Sequence, residues 1–353
     1  MRDVVFWLPA INPYWHERFV ALHSAGEVDF ECWFLDHVDP DRDWVVDEAD
    51  MTYPHTFLSD SRESLLSTLR KLYLRASPAR VFTFHYEPRL WLVWAHRLRG
   101  RHVALYCLMT WDSWVQRSKS KELAKKIFFR LSSSTLTPGP DSDAWARSYG
   151  ARNLFRLHHA VDVEALSAAG SHRVDSPELR LLYVGRLVED KGVPFILSVV
   201  EDLLERGLPI TLRIVGSGAL EAEVQSLVAR WPDAVVFDGF VQSASMPSRY
   251  GDSDVLLFPT LGDPYGLVVD EALAAGLPVI SSDRAGDISW RLADGRGWVL
   301  DPEAAGDWAA TIERLARDRE LLSRSRAAAV LFSRGHDVQR WATEIKRWVS
   351  STA

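Results

Sequence analysis

The chain has 353 residues, 47% of them apolar and 25% charged, which is room for two domains with a core each and excludes a disordered or fibrous protein. Its longest apolar runs, VFWLPAI and VLLFP, fall far short of the roughly 20 residues that cross a bilayer, and Cys32 and Cys107, the only two cysteines, exclude a disulfide framework or a cysteine-rich metal site. The formal charge of −7 hides an asymmetry: 13 acidic side chains against 3 basic in residues 1–60, then 15 basic against 4 acidic in 61–130, a block that attracts phosphates or an anionic membrane face.

DVVFWLPA (3–10) opens the chain as a strand. An acid precedes its apolar core and no small-residue cleavage site follows, so it does not read as a secretory signal, and residence in the cytoplasm is expected. The loop after it holds Pro9, Asn12, Pro13, Tyr14, Trp15 and His16; Asn12 or His16 meets a ligand there or merely caps the next helix. DFECWFL (29–35), ARVFTFH (79–85) and HVALYCL (102–108) are further strands, spaced by the helical patterns RESLLSTLRKLYLR (62–75) and RLWLVWAHRLRG (89–100). His85 ends its strand, a position that serves function as readily as structure. In WVQRSKSKELAKKIFFRL (114–131), Leu123, Ile127 and Leu131 recur at helical spacing among six Lys/Arg. This helix either lies on an anionic membrane surface or packs on a sheet with its basic face in water. A short strand NLFRLHHAV and the polar stretch SAAGSHRVDSPE follow, and the domain boundary is placed in that stretch: residues 1–170, 171–335 and a C-terminal helix 336–353, whose Val338, Trp341, Ile345 and Trp348 share one face and are expected to pack back toward the first domain.

The second half repeats the rhythm: LRLLYVG, a helix Val193–Arg206, ITLRIVG, a helix from Leu220, AVVFDG, DVLLFP, a helix containing Glu271, and PVISS. Apolar strands without alternation, each followed by a helix, predict parallel sheets covered on both faces. The expected fold is α/β, two Rossmann-like doubly wound domains facing each other across a cleft, with ligands at the carboxyl ends of the strands.

Three strand-end loops carry candidate chemistry. After LRLLYVG come Gly185, Arg186 and Lys191, two cations suited to a diphosphate, or a solvated turn. After ITLRIVG come Gly216, Ser217 and Gly218 ahead of a helix, which offers backbone amides to an anion but lacks the third glycine of the dinucleotide fingerprint. In GDPYGLVVDEALAAGLPVISS, Pro264 and Gly266 hold Asp263 out of the helix in which Glu271 stands. Asp263 then caps the helix or meets a ligand. Glu271, followed by a small apolar surface, is expected to be buried and to need a partner. An acid, the amides of Tyr265 to Leu267 and a second acid suit a polyol, a phosphate and another polyol in series.

YVGRLVEDKG, RIVGSG, VVFDGFV, SDVLLFPT and DPYGLVVDEALAAGLPVISS, in this order and spacing, resemble the C-terminal domain of retaining glycosyltransferase family 4, of the GT-B fold group. The resemblance covers about 179–330; earlier, only the βα rhythm agrees. It implies that Glu271 bonds the ribose of a nucleotide sugar and that Asp263 stands where the family has a glutamate facing the transferred sugar. It further implies that Tyr265, Gly266 and Leu267 meet the donor's sugar and phosphate, that Arg186 and Lys191 hold the diphosphate, and that Phe240 and Val241 pack the base. A histidine near the sugar's reactive face corresponds to His85, while the family's Gly-Gly after the first strand is missing.

The implied function is a retaining, metal-independent transfer from a UDP- or GDP-linked sugar to a glycan, lipid-linked or small-molecule hydroxyl, with no cofactor, no essential metal and no nucleic acid partner. A peripheral contact with the inner membrane face through 114–131 is compatible with this. A sugar-nucleotide epimerase, or a binding protein without catalysis, are the alternatives. Asp141-Ser142-Asp143 and Asp252-Ser253-Asp254 imitate a metal-binding Asp-x-Asp, but one lies in a Pro/Gly loop and the other precedes its strand.

Overall fold

The computed structural model describes residues 2–38, 44–61, 65–84, 96–111 and 118–352. The chain forms two compact units: one made of Met1–Met109, Val115–Ala160 and Val338–Ala353, the other of Val161–Asp337 with the short segment beginning at Thr110.

In the first unit, β1 (Val4–Ala10), β2 (Phe30–Asp36), β3 (His55–Phe57), β4 (Arg80–Phe84), β5 (His102–Tyr106), β6 (Ser134–Thr137) and β7 (Leu154–Arg156) pair in parallel in the order β3-β2-β1-β4-β5-β6-β7. The unbroken apolar run of β1 is explained by burial on both sides. Val4, Phe6 and Leu8 enter one core and Val5 and Trp7 the other, as the two-residue pleat requires. The helix Val338–Ser351 supplies Trp341, Ile345 and Trp348 to the core that holds Phe6 and Phe82, and Trp348 Nε1 donates to Ser134 Oγ at 3.1 Å.

In the second unit, β8 (Leu179–Val184), β9 (Ile210–Val215), β10 (Val235–Gly239), β11 (Val255–Phe258), β12 (Val279–Ser282) and β13 (Gly297–Leu300) form a parallel sheet in the order β10-β9-β8-β11-β12-β13. Val255 and Leu257 of β11 face one core, Leu256 and Phe258 the other.

Two expectations are corrected, and a third falls mostly outside the described residues. The boundary falls at Ala160/Val161, because the helix Val163–Ser171, capped by the Asp162 side chain, sends Leu166 into the second unit's core. The polar stretch that follows is a surface connection inside that unit. In the basic segment, the helix Lys119–Leu131 packs through Phe129 against Trp145 and Tyr149. Leu123, Ile127 and Leu131, the stripe that a sheet-packed helix would bury, are 61%, 39% and 45% exposed. Of RLWLVWAHRLRG, only the part from His96 lies within the described residues.

Candidate active site

The strand order of the second sheet reverses beside β8: the chain passes from β8 to β9 on one side and returns with β11 on the other. Loops leaving the carboxyl ends of β8 and β11 therefore diverge around a crevice, the place where open α/β sheets hold ligands. Residues 185–192 form the first loop and 259–266 the second. They are tied together: Leu261 N and Thr260 Oγ1 both donate to the Asp190 carbonyl, at 2.9 and 3.2 Å, and Lys191 Nζ donates to Gly262 O and to Asp263 Oδ2, each at 3.0 Å. Arg186 remains about two-fifths exposed, its Nη2 3.8 Å from Asp190, outside hydrogen-bond range.

Asp263 does not cap the helix Leu267–Ala274. Its Oδ1 accepts from Tyr265 N at 2.9 Å while Oδ2 accepts from Lys191, so the carboxylate is fixed in the loop ahead of the helix. The residue before Leu267 is Gly266 at φ +76°, where a Cβ would stand 2.5 Å from the Phe258 ring; only glycine fits this turn. Because the Tyr265 amide is taken, the expectation of three free amides narrows to two. Those of Gly266 and Leu267 have no partner among the described residues, and they sit at the electropositive end of the helix. Arg291, fully buried, holds the turn from behind, donating to the Tyr265 and Gly266 carbonyls and to Asp270 Oδ1, and stacking 4.0 Å over the Tyr265 ring. Burial disfavours its charge, but the attraction of Asp270 more than offsets this and its pKa is raised.

Glu271 lies about 6 Å along the helix from Leu267 at 1.5 Å per residue and is 7% exposed. Its partner is Tyr250, whose hydroxyl donates to Oε2 at 2.5 Å. Gly216 has a packing role, since a Cβ there would be 1.8 Å from Gly185 O. Beyond it, Gly218 N donates to Glu221 Oε1 at 3.1 Å, and Glu221 and Glu223 occupy the first turn of the helix Glu221–Arg230. Just past β10, Phe240 is 37% exposed, and Val241 packs on the core behind it.

In the first unit, Asn12 caps the helix Pro13–Ala25, accepting from Trp15 N at 3.0 Å, which is the cap of the two readings. His16 is half-buried with Nδ1 3.4 Å from Tyr53 Oη; burial lowers its pKa against a weaker pull from Asp50. His85 lies outside the described residues. Both Asp-x-Asp sequences are structural: Asp254 pairs with Arg180 and Arg326, and Asp143 with Arg156 at 2.5 Å. Among the described residues no group of three His, Cys, Asp or Glu side chains is placed to hold a metal ion. Sequence reasoning missed Tyr250 and the Arg291–Asp270 pair, which gave no local signal beyond an acid directly before Glu271.

Residues 178–318 match the model of the family described as "Glycosyl transferases group 1". A D-inositol 3-phosphate glycosyltransferase of Arthrobacter sp. (strain FB24) is 32% identical over 176 residues, 48% of this chain and 42% of that protein. This and the next curated relatives are matched over less than two-thirds of their own length. Among solved structures, Anabaena Alr3699/HepE in complex with UDP superposes with a TM-score of 0.77 at 16% identity, over 99% of this chain and 100% of that one. The sucrose-phosphate synthase (tll1590) of Thermosynechococcus elongatus gives 0.78 at 17%, over 99% of each.

Proposed function

The second unit belongs to the GT4-like glycosyltransferases of the GT-B fold, and from that premise we propose that the protein is a retaining, metal-independent glycosyltransferase whose donor is a UDP-linked sugar. The observation that carries this reading is the grouping, on two tied loops and one helix, of Arg186, Lys191, Asp263, two open amides and the buried Glu271. UDP as the nucleotude carrier is favoured by the HepE structure, which is a UDP complex.

Glu271, held by Tyr250, accepts the ribose hydroxyls. Phe240 offers a ring face to the base. The Gly266 and Leu267 amides, with Arg186 and Lys191, face the diphosphate, and Asp263 accepts from hydroxyls of the sugar. The bond from the anomeric carbon to the β-phosphate oxygen breaks first, leaving charge on the diphosphate, which fixed amides and cations stabilise without reorganising. The acceptor hydroxyl bonds to the anomeric carbon on the same face and its proton passes to the departing phosphate oxygen. We assign the acceptor, a glycan, lipid-linked or small-molecule alcohol, to the first unit, with His16 as its candidate contact now that Asn12 serves as a helix cap, and we keep His85 as the candidate group near the sugar's reactive face. Residence in the cytoplasm, peripheral at an anionic membrane face, suits such an enzyme.

The test is calorimetric titration of UDP, GDP, ADP and dTDP, each with Mg²⁺ and with EDTA. UDP should bind alone or best, equally in EDTA, and Glu271→Ala should abolish the binding. Asp263→Asn should keep UDP binding yet lose at least about tenfold in release of UDP from the UDP-sugar. A protein that binds none of the four, or binds UDP unchanged in Glu271→Ala, overturns the assignment.

A further inference from the structure

Four arginines of the basic stretch 61–130, together with Arg152, line one place that the donor chemistry does not use. Asp3, Arg80, His102, Ser133 and Asn153 stand at or just before the amino ends of β1, β4, β5, β6 and β7, neighbours in the first sheet. They border a cavity of about 870 Å³. Four of those five strands bring arginine to its wall: Arg80 opens β4, Arg97 and Arg101 precede β5, Arg130 precedes β6 and Arg152 precedes β7.

None of these five guanidinium groups forms an ion pair with a described carboxylate. Arg80 is 5% exposed, yet it donates only to neutral oxygens: Thr352 Oγ1 at 2.7 Å, Val349 O at 2.7 Å and Asp3 O at 3.3 Å. Arg101 likewise donates to the Ser77 and Pro78 carbonyls, at 3.0 and 2.6 Å. Among the described residues the one acid on the wall is Asp3, which receives the Asp29 amide on Oδ2 and whose charge partly offsets the burial of Arg80. Helix carboxyl ends near the cavity carry partial negative charge, about half a unit each, and arginines commonly complement them. That role needs a cation at each helix end; it does not call for a solvent-filled hollow around which five cations meet. Arginine forks without carboxylates, arranged about a cavity, suit an anion with several oxygens.

We propose that this cavity binds a phosphate-bearing anion, the size of a diphosphate ester or a phospholipid headgroup. Either source presents the same oxygens. Arg130 belongs also to the helix Lys119–Leu131, whose exposed Leu123, Ile127 and Leu131 extend the surface from that wall. A lipid would use both features; a free diphosphate would need the cavity alone.

The full chain is titrated with inorganic pyrophosphate by calorimetry at fixed salt, and cosedimented with vesicles of phosphatidylglycerol or of phosphatidylcholine. Arg130→Gln/Arg152→Gln is the main variant, since both side chains are exposed; Arg97→Gln is a second, and UDP binding reports that each remains folded at the donor site. Saturable pyrophosphate binding, weakened at least about tenfold in the double variant with UDP affinity unchanged, supports the proposal with a free anion as ligand. Binding to phosphatidylglycerol vesicles that the double variant loses, without pyrophosphate binding, supports it with a lipid as the source. Binding of neither probe, or binding that both variants retain at full strength, overturns it and leaves the arginines as neutralisers of helix ends.

Discussion

Tyr250 donates to Glu271 Oε2 at 2.5 Å inside a buried pocket, and this fixes the rotation of the carboxylate about its last bond. A ribose needs both of its hydroxyls met at once, so the phenol sets how well the acid is pre-oriented. Tyr250→Phe should raise the UDP dissociation constant about tenfold, worth about 1.4 kcal/mol, with a fall of a few degrees in melting temperature for the lost charge-assisted bond; calorimetry and a thermal melt read both, and an unchanged affinity would make Tyr250 a purely structural partner. The loop position of Asp263 and the burial of Glu271 in the helix were legible in the sequence because their cues are local: a Pro/Gly turn, helix formers, then Gly-Leu-Pro. Their supports were not. Tyr250 and Arg291 each lie 21 residues from the carboxylate they serve, one before and one after, and only the folded sheet brings them in. The narrowing of the amide cradle was hidden for a similar reason, since an Asx turn at Asp263 depends on a side-chain rotamer.

At the level of elements, the helix Leu267–Ala274 is short, and its entry turn is held by Arg291 rather than by a capping side chain. Replacing Arg291 by Met removes half of a fully buried pair and leaves the Asp270 carboxyl buried without its partner. A loss of about 3–5 kcal/mol is expected, measured by urea denaturation, and Asp270→Leu in the same chain should recover much of it. Weaker UDP binding in Arg291→Met at temperatures where the protein is still folded would show that the turn, and with it the Gly266 amide, has shifted. Strands and long helices were read well because parallel strands buried on both faces leave unbroken apolar runs. Of the two readings of the helix Lys119–Leu131, the sheet-packed one fails because spacing alone does not say which stripe is turned inward. Here the inward face is made of Glu122, Lys125 and Phe129, with Lys125 resting 5.5 Å over Trp145, so an apparently polar face is the packed one.

Across the whole molecule, acid sensitivity should come from the basic block of the first unit. Burial, and then the charges of Arg80 and Arg97, hold His102 at about 4; burial and Arg101 do the same for His96. Unfolded histidine titrates near 6.5, so between pH 6.5 and 4 the unfolded chain binds more protons than the folded one, and stability falls as pH drops through that window. Glu344, drawn below its usual value by the His158 hydrogen bond despite burial, adds loss in the same direction at lower pH. His102→Asn should flatten the plot of melting temperature against pH over 6.5 to 4; an unchanged slope would remove His102 from the account. The two-unit architecture was legible from two runs of βα rhythm. Its boundary was not, because polarity marks surface and a single buried leucine, Leu166, decides ownership of the helix around it.

One consequence concerns the order in which the protein can be made. The first unit takes its last core element, with Trp341, Ile345 and Trp348, from Val338–Ser351, while nearly all of the second unit is contributed by the chain that runs in between. On the ribosome the first unit's sheet therefore emerges before the second unit but is completed after it. Until Val338–Ser351 has been synthesised, the apolar surface around Phe6, Phe19 and Phe82 lacks its cover, while the second unit has every strand it needs to close. At roughly 5–20 residues per second, that surface stays open for many seconds, long enough for a chaperone to find it and for the carboxyl-terminal helix to act as the closing step of assembly.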